Sequence, residues 1–221
     1  MMGQYRAVFQ VNGILLLILG LAMLVPALLD ARTGHPDWQG FLAGFVGAGL
    51  TITCWGGGED LHLRQAFILT TTMWIVTPTF AALPFAFSNL NLSYTDAFFE
   101  AMSGITTTGS TVISGLEDAP PGILIWRALL QWMGGIGIIV KAVGLLPILQ
   151  VGGMQLFRME SSDASEKVLP RTAQIAGTIS IIYLALSAVC ALVYWAAGMP
   201  PFEAAAHAMT TIATGGFSTS D

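Results

Sequence analysis

Charged side chains are scarce in this sequence: Asp, Glu, Lys and Arg make up only 10% of its 221 residues, whereas 54% are hydrophobic. A soluble globular domain carries about 25% charged residues. With its strongly positive mean hydropathy, the chain lies outside the soluble range, and its composition predicts a protein of the lipid bilayer. The net charge of −5 is less informative than the places where the acidic residues lie.

Residues that build catalytic and metal centres are equally few. The two cysteines, Cys54 and Cys190, lie in apolar runs, which favours inert packing over a disulfide or zinc framework. The three histidines are scattered, at His35, His62 and His207, and do not form the convergent cluster that an enzyme needs. The sequence also lacks a Gly-rich phosphate loop and a basic stripe for nucleic acid. We therefore expect neither an enzyme nor a partner of nucleic acids.

Long apolar runs are abundant, and each of them reaches the ~20 residues that a membrane-spanning helix needs. They cover residues 7–29, 38–58, 66–87, 120–150 and 172–197. A polar loop with Arg158, Lys167 and Arg171 is predicted over residues 151–171, between the last two runs. The pattern predicts an all-α polytopic membrane protein.

Two further helical segments are too short to cross the bilayer. Residues 95–105 allow about three helical turns, ~16 Å, which is roughly half of the hydrocarbon thickness. A second such segment starts at Pro201. Asp96 and Glu100 favour the positive, amino-terminal end of the first helix dipole, and the second segment has proline and Glu203 in the same place. Both helices would therefore start outside and direct their partly negative carboxyl ends, which attract a cation, at the middle of the membrane.

Polar segments that contain glycine follow both short helices. The first reads Thr106-Thr107-Thr108-Gly109 and the second Ala213-Thr214-Gly215-Gly216, and aligning the two aligns Thr107 with Thr214. Non-helical backbone at membrane depth is tolerated only where protein buries it or water reaches it. Backbone carbonyls and threonine hydroxyls there can replace the hydration shell of K⁺, and glycine allows the backbone angles that turn carbonyls inward. Both segments are predicted to be re-entrant pore loops.

Other interpretations of these repeats stay open. Thr and Gly are also common in ordinary membrane helices, and Thr70-Thr71-Thr72 is such a case, inside a predicted span with no short helix before it. A broken-helix secondary transporter for another cation would also have re-entrant segments, but its repeats are typically inverted, whereas these two run the same way. A non-conducting, truncated fragment is the third possibility.

The distribution of charge predicts the orientation. A cytoplasmic amino terminus places five cations inside and one outside, in agreement with the positive-inside rule; the five are Arg6, Arg64, Arg158, Lys167 and Arg171, and the one is Arg32. The same topology places a group of acidic residues at the outer mouth, where they would concentrate cations. These are Asp96, Glu100, Glu117, Asp118, Glu203 and Asp221.

Four segments together resemble a known family: Thr106–Gly109, Gln131–Val140, Val151–Arg158 and Gly215–Thr219. They are similar to the pore-forming subunit of the Trk-type potassium-uptake system of bacteria, in the Trk, Ktr and HKT superfamily. The resemblance implies two leading helices and then helix/pore-loop/helix repeats of the K⁺ channel-like type, four in the whole pore. Residues 1–64 would be the leading helices, residues 65–171 the first repeat with its cytoplasmic loop, and residues 172–221 the start of an incomplete second repeat.

The resemblance also implies residue roles and partners. The filter residues would be Thr107, Thr108, Gly109, Ala213, Thr214, Gly215 and Gly216, with K⁺ held at Thr107, Thr108, Thr214 and Gly215. Gly109, at the first filter position, resembles the glycine that K⁺-favouring members of the family carry there. The implied function is potassium uptake across the bacterial plasma (inner) membrane by a homodimer, embedded in membrane lipids and controlled by a cytoplasmic ring of nucleotide-binding subunits.

Two features depart from the family pattern. The sequence ends at Asp221, directly after the second filter motif, so we expect the amino-terminal part of a longer transporter. Lys141 lies within the fourth span, where family members carry an apolar residue, and a buried Lys costs about 3 kcal/mol on insertion scales. It could face the cavity and tune the pore, pair with an acid elsewhere, or have no role.

Two polar residues receive structural predictions. Arg127, near the outer end of the fourth span, is expected to pair with an outer acid such as Glu100 or Glu117, and tuning of the filter field is the alternative. His207 lies within the second short helix, where we expect a polar contact rather than a proton switch.

Overall fold

The fold is built from α-helices. In the computed structural model the backbone is described for residues 6–50, 63–149 and 165–221, and the side chains for residues 7–46, 64–137 and 174–221. Within these ranges every regular element is helical and no strand occurs. Three segments in the described part are long and apolar enough to cross a membrane: Ala7–Thr33, Arg64–Ala86 and Gln174–Ala196. The predicted all-α class is confirmed for this part of the chain.

The first two helices form a hairpin. Helix α1 (Arg6–Thr33) contains the first predicted span, and α2 (Trp38–Leu50) begins where the second was predicted. The rest of that second span lies outside the described residues. Gly34 turns the chain between the helices with φ of +79°, a conformation that glycine adopts without strain. A Cβ on Gly44 would come within 2.7 Å of the Met23 sulfur, so glycine permits the close approach of α1 and α2.

The third predicted span is a helix that is interrupted near a proline. Helix α3 (Leu63–Ala81) is followed by the short helix α4 (Leu83–Ala86), where Pro84 has no N–H to continue the hydrogen-bond ladder. The hydroxyls of Thr70, Thr71 and Thr72 donate to backbone carbonyls of the preceding turn at 2.8, 3.1 and 3.1 Å. These threonines are ordinary helical residues, as predicted.

Helix α5 (Tyr94–Ile105) is the first short helix and begins with a side-chain cap. Ser93 Oγ accepts a hydrogen bond from the Asp96 N–H at 3.2 Å and donates to Asp96 Oδ2 at 2.7 Å. This arrangement resembles a capping box, with aspartate in the place of the usual glutamate. The cap fixes the residue at which α5 starts.

We expect replacement of Ser93 by alanine to destabilise the protein by about 1 kcal/mol, the typical effect of losing a serine cap. In a chain of this size, such a loss lowers the midpoint of thermal unfolding by roughly 2–4 °C. The midpoint should be measured on detergent-solubilised protein. Replacement of the exposed Thr95 by alanine is the control, and a Ser93 variant that melts together with this control would contradict the prediction.

Helix α6 (Pro121–Leu149) is the central helix of the fold. A 3₁₀ turn (Leu116–Asp118) leads into it, and its residues are buried without interruption from 122 to 131. The indole N–H of Trp126 donates to the Ala81 carbonyl at 3.1 Å, and its ring meets Phe41 edge-on with 6.0 Å between centroids. Helix α6 also packs against both short helices. It therefore joins the amino-terminal helices to them.

Helices α7 (Ser165–Ala196) and α8 (Pro201–Ile212) complete the described chain. The loop predicted over residues 151–171 was wrong for residues 165–171, which are helical, and the predicted domain boundary after residue 171 falls within α7. The loop was predicted because these residues are charged and therefore expected in water. Glu and Lys are also good helix formers, so a spanning helix can continue into water beyond the lipid. Only 6% of the spanning window of α7 is buried.

Candidate ion-binding site

The segments that follow α5 and α8 share one backbone conformation. We call residues 106–110 the first Thr-Gly segment and residues 213–217 the second. Thr107 and Thr214 are left-handed, with φ of +57° and +53°, and Gly109 and Gly216 follow two residues later with φ of +82° and +81°. Left-handed residues at alternate positions gather the N–H groups on one side of a segment. Since both segments have left-handed residues at the same two positions, their backbone groups share one arrangement.

Backbone hydrogen bonds hold the two threonines in this conformation. The N–H of Thr107 donates to the Gly104 carbonyl at 2.9 Å, and that of Thr108 donates to the Ser103 carbonyl at 3.0 Å. The same two bonds recur after α8. There the Thr214 N–H donates to the Thr211 carbonyl at 2.9 Å, and the Gly215 N–H donates to the Thr210 carbonyl at 2.8 Å. This is the Schellman motif, in which the left-handed position is usually glycine. Such backbone strain costs of order 1–3 kcal/mol and clusters at functional sites.

The two Thr-Gly segments touch each other at Gly109. A Cβ on Gly109 would overlap the carbonyl oxygen of Gly215, and a Cβ on Gly215 would fall on the side-chain amide of Gln131. By contrast, nothing lies within 4 Å of the Cβ position of Gly216. Space and the backbone angle both require glycine at position 109, where the neighbour is backbone, whereas a Cβ at position 215 would displace the Gln131 amide.

Hydroxyl groups attach the first Thr-Gly segment to α5. Ser103 Oγ donates to the Ser110 carbonyl at 2.6 Å, and Thr106 Oγ1 donates to the Met102 carbonyl at 2.7 Å. Thr106 Oγ1 also lies 2.8 Å from Thr108 Oγ1. The segment is therefore held to α5 at both of its ends.

A buried ion pair lies next to the first segment. Glu100 and Arg127 are 0% and 1% exposed, and Oε1 of the first lies 2.8 Å from Nε of the second. The carboxylate also accepts from the Thr111 hydroxyl at 2.9 Å and from the Val112 N–H at 3.1 Å. The predicted pairing of Arg127 is confirmed. The prediction that Glu100 attracts cations at the outer mouth was wrong, because α5 packs on α6 and covers this carboxylate.

Arg127 also connects α6 to the chain that follows α8. Its Nη1 donates to the Ser218 carbonyl at 2.8 Å, and its guanidinium carbon lies 4.2 Å from the centre of the Phe217 ring, in cation–π geometry. A further connection runs from Asp221, whose Oδ2 accepts from the Gly115 N–H at 2.6 Å. These contacts hold the chain just beyond the second Thr-Gly segment.

Glycines of α6 let this helix approach the carboxyl ends of both short helices. A Cβ on Gly134 would overlap the carbonyl oxygen of Ile105, the last residue of α5. A Cβ on Gly135 would lie 3.2 Å from the Ala213 Cα and 2.7 Å from the Tyr183 hydroxyl. Close packing therefore explains both glycines.

The remaining predicted residues lie away from the two segments or outside the described side chains. His207 Nε2 lies 3.2 Å from Thr219 Oγ1, which confirms the predicted polar contact. Cys190 is free, and Cys54 lies outside the described residues. Lys141 belongs to α6, but its side chain is outside the described part, so its role stays a prediction.

Comparison with known proteins gives consistent matches over the whole chain. Residues 38–221 match the family model TrkH, a cation transport protein. The chain is 42% identical over 223 residues to the Trk system potassium uptake protein TrkI of Halomonas elongata, covering 99% of this chain and 45% of that protein. It is also 42% identical over 228 residues to the Trk system potassium uptake protein TrkH of Escherichia coli, covering 98% of this chain and 47% of that protein.

A solved structure agrees with these sequence matches. The crystal structure of the potassium transporter TrkH from Vibrio parahaemolyticus is similar to this fold with a TM-score of 0.84 and 38% identity, over 99% of this chain and 45% of that chain. The chain spans about half the length of the curated relatives it matches.

Proposed function

The chain belongs to the TrkH family of cation transport proteins, and we propose that it forms part of the path by which K⁺ is taken up across a membrane. Its relatives in Halomonas elongata and Escherichia coli are named potassium uptake proteins. Apolar helices long enough to span a bilayer support a membrane protein. Since this chain corresponds to about half of each relative, the transport activity of the whole protein is part of the proposal.

The matched backbone of the two Thr-Gly segments carries this proposal. Carbonyl oxygens at alternating left-handed positions can replace the hydration shell of K⁺, which passes through as the substrate. The proposed ligands are Thr107, Thr108, Thr214 and Gly215, and the backbone is shaped by Gly109, Ala213 and Gly216. The partly negative carboxyl ends of α5 and α8, from which the segments start, favour a cation there.

Two segments form only half of a four-sided ring of carbonyls. In our proposal, two further segments come from the part that the relatives have beyond the matched region, and α5 and α8 enter the bilayer from outside as re-entrant pore loops. Non-helical backbone at membrane depth is tolerated where protein buries it or where it lines a water-filled cavity, and a pore lined by these segments would meet that condition.

We further propose that the membrane is the bacterial inner membrane and that the amino terminus is cytoplasmic. The distribution of Lys and Arg described above supports this orientation. A homodimer and a cytoplasmic regulatory subunit that binds a nucleotide follow from the family resemblance, and they belong to the proposal on that basis alone.

The function is tested by joining these 221 residues to the carboxyl-terminal part of Escherichia coli TrkH that follows the matched region. In cells that lack their own K⁺ import, this fusion protein is expected to take up Rb⁺, and K⁺ should compete with that uptake far better than Na⁺. The carboxyl-terminal part expressed alone is the control and should give no uptake.

An absence of Rb⁺ uptake by a fusion protein that is present in the membrane would contradict the proposal and favour a non-conducting fragment. Uptake for which Na⁺ competes as well as K⁺ would favour transport of another cation. Membrane insertion should be measured in the same cells by quantitative blotting of the membrane fraction.

A further inference from the structure

Gln131 is a buried polar residue that the K⁺ pathway described above does not include. It lies in α6, one helical turn after Arg127, and is 0% exposed. Arg127 holds the Ser218 carbonyl, and Gln131 Oε1 accepts from the Phe217 N–H at 3.1 Å. Two successive turns of α6 therefore hold the carboxyl end of the second Thr-Gly segment.

The Gln131 amide also fills the space beside both Thr-Gly segments. A Cβ on Gly215 would fall on its Cδ and Oε1, and a Cβ on Gly109 would lie 3.7 Å from its Nε2. The amide is thus in contact with the second segment at Gly215 and reaches the first at Gly109. These are the two residues at which the segments touch each other.

The Nε2 atom of Gln131 is buried and has no hydrogen-bond partner within the described part of the chain. Exchanging the amide oxygen and nitrogen would not solve this, because the Phe217 N–H needs the acceptor that Oε1 provides. Native proteins rarely leave a buried amide donor unpaired. Within the described part of the chain, the amide is therefore held through its acceptor, by the Phe217 N–H.

We propose that Gln131 is a positioning residue that sets the separation between the first two Thr-Gly segments and thereby the preference for K⁺ over Na⁺. Its acceptor fixes the second segment at Phe217, and its amide fills the space against Gly215 and beside Gly109, so the position of one segment relative to the other depends on this side chain. Discrimination between K⁺ and Na⁺ depends on how the carbonyl oxygens are arranged around the ion. This inference depends on the proposed function, since it assigns a cause to the selectivity of that same site.

The test compares Gln131→Met, which keeps a similar volume but has no acceptor, with Gln131→Glu, which keeps both the shape and an acceptor for Phe217. Both changes are made in the fusion protein described above, and the preference for Rb⁺ over Na⁺ is measured by competition. We expect the preference for Rb⁺ over Na⁺ to fall at least tenfold in Gln131→Met and by a smaller factor in Gln131→Glu. Gln174→Met, at an exposed position of α7, is the matched control.

A purely structural role would reduce the amount of inserted protein and the rate, but it would leave the ion preference unchanged. An unchanged preference in inserted Gln131→Met therefore overturns the inference. Gly215→Ala, which adds a methyl group against the same amide, provides a second test that does not need the Gln131 variants to fold. An unchanged preference in this variant overturns the inference too. If the unmodified fusion protein takes up no Rb⁺, the proposed function itself fails.

Discussion

Replacing Gly109 with serine is expected to lower the preference for K⁺ over Na⁺ by at least tenfold and to reduce the rate of uptake. Two independent causes act at this position. The φ of +82° is strained for a residue with a side chain, at a cost of order 1–3 kcal/mol. The added Cβ would also overlap the Gly215 carbonyl oxygen, so the second segment has to move as well. A tenfold change in ion preference corresponds to a difference of about 1.4 kcal/mol between the two ions.

The measurement is competition between Rb⁺ and Na⁺ in the fusion protein with the Escherichia coli part. Gly115→Ser is the matched control, because Gly115 is also left-handed, with φ of +71°, but has nothing within 4 Å of its Cβ position. This control reports backbone strain at a left-handed glycine outside the two segments, whose N–H donates to Asp221. If inserted Gly109→Ser keeps the ion preference of the unmodified protein, Gly109 does not shape the ion site.

The short helices and the long ones were predictable because length and apolar character depend on local sequence. Residues 95–105 are too few to cross a bilayer, and α5 does end at Ile105. The second short helix, α8, starts at Pro201, as predicted from proline and Glu203 near its beginning. The alignment of Thr107 with Thr214 correctly paired residues that share one rare backbone conformation.

The features that sequence missed depend on contacts between distant residues. The left-handed conformation of two threonines could not be predicted, because isolated β-branched residues avoid it and the hydrogen bonds at the helix end impose it. Glu100 resembles the other acids of its region in sequence, and only the position of Arg127 on α6 shows that its carboxylate is buried. Gln131 gave no signal beyond its place in a family motif, since its contacts are with residues 215 and 217.

Helix α6 contacts both short helices and the chain that follows each of them. Arg127 and Gln131 hold the chain after α8, while Gly134 and Gly135 receive the carboxyl ends of α5 and α8. All four residues lie within about two turns of one helix. A change in any of them is therefore expected to alter the position of one Thr-Gly segment relative to the other, and the ion pair should have the largest effect on stability.

Replacing Arg127 with methionine is expected to lower the midpoint of thermal unfolding by on the order of 10 °C. The variant leaves the Glu100 carboxylate buried without a counter-charge, and removing one partner of a buried ion pair costs about 3–5 kcal/mol. At roughly 2–4 °C per kcal/mol for a chain of this size, the fall is large and easily measured on detergent-solubilised protein. The contacts to Ser218 and Phe217 are lost in the same variant, so the second Thr-Gly segment should also loosen.

A double variant separates the buried charge from the lost packing. Glu100→Gln combined with Arg127→Met removes both charges, so no charged carboxylate is left buried. This double variant should recover more than half of the fall in the unfolding midpoint that Arg127→Met causes alone. Arg32→Met, at an exposed position near the end of α1, is the control and should stay within roughly 2 °C of the unmodified protein. If the double variant is as unstable as Arg127→Met, the uncompensated charge is not the cause. The guanidinium would then stabilise the fold mainly through Ser218 and Phe217, which would make it primarily a support for the second Thr-Gly segment.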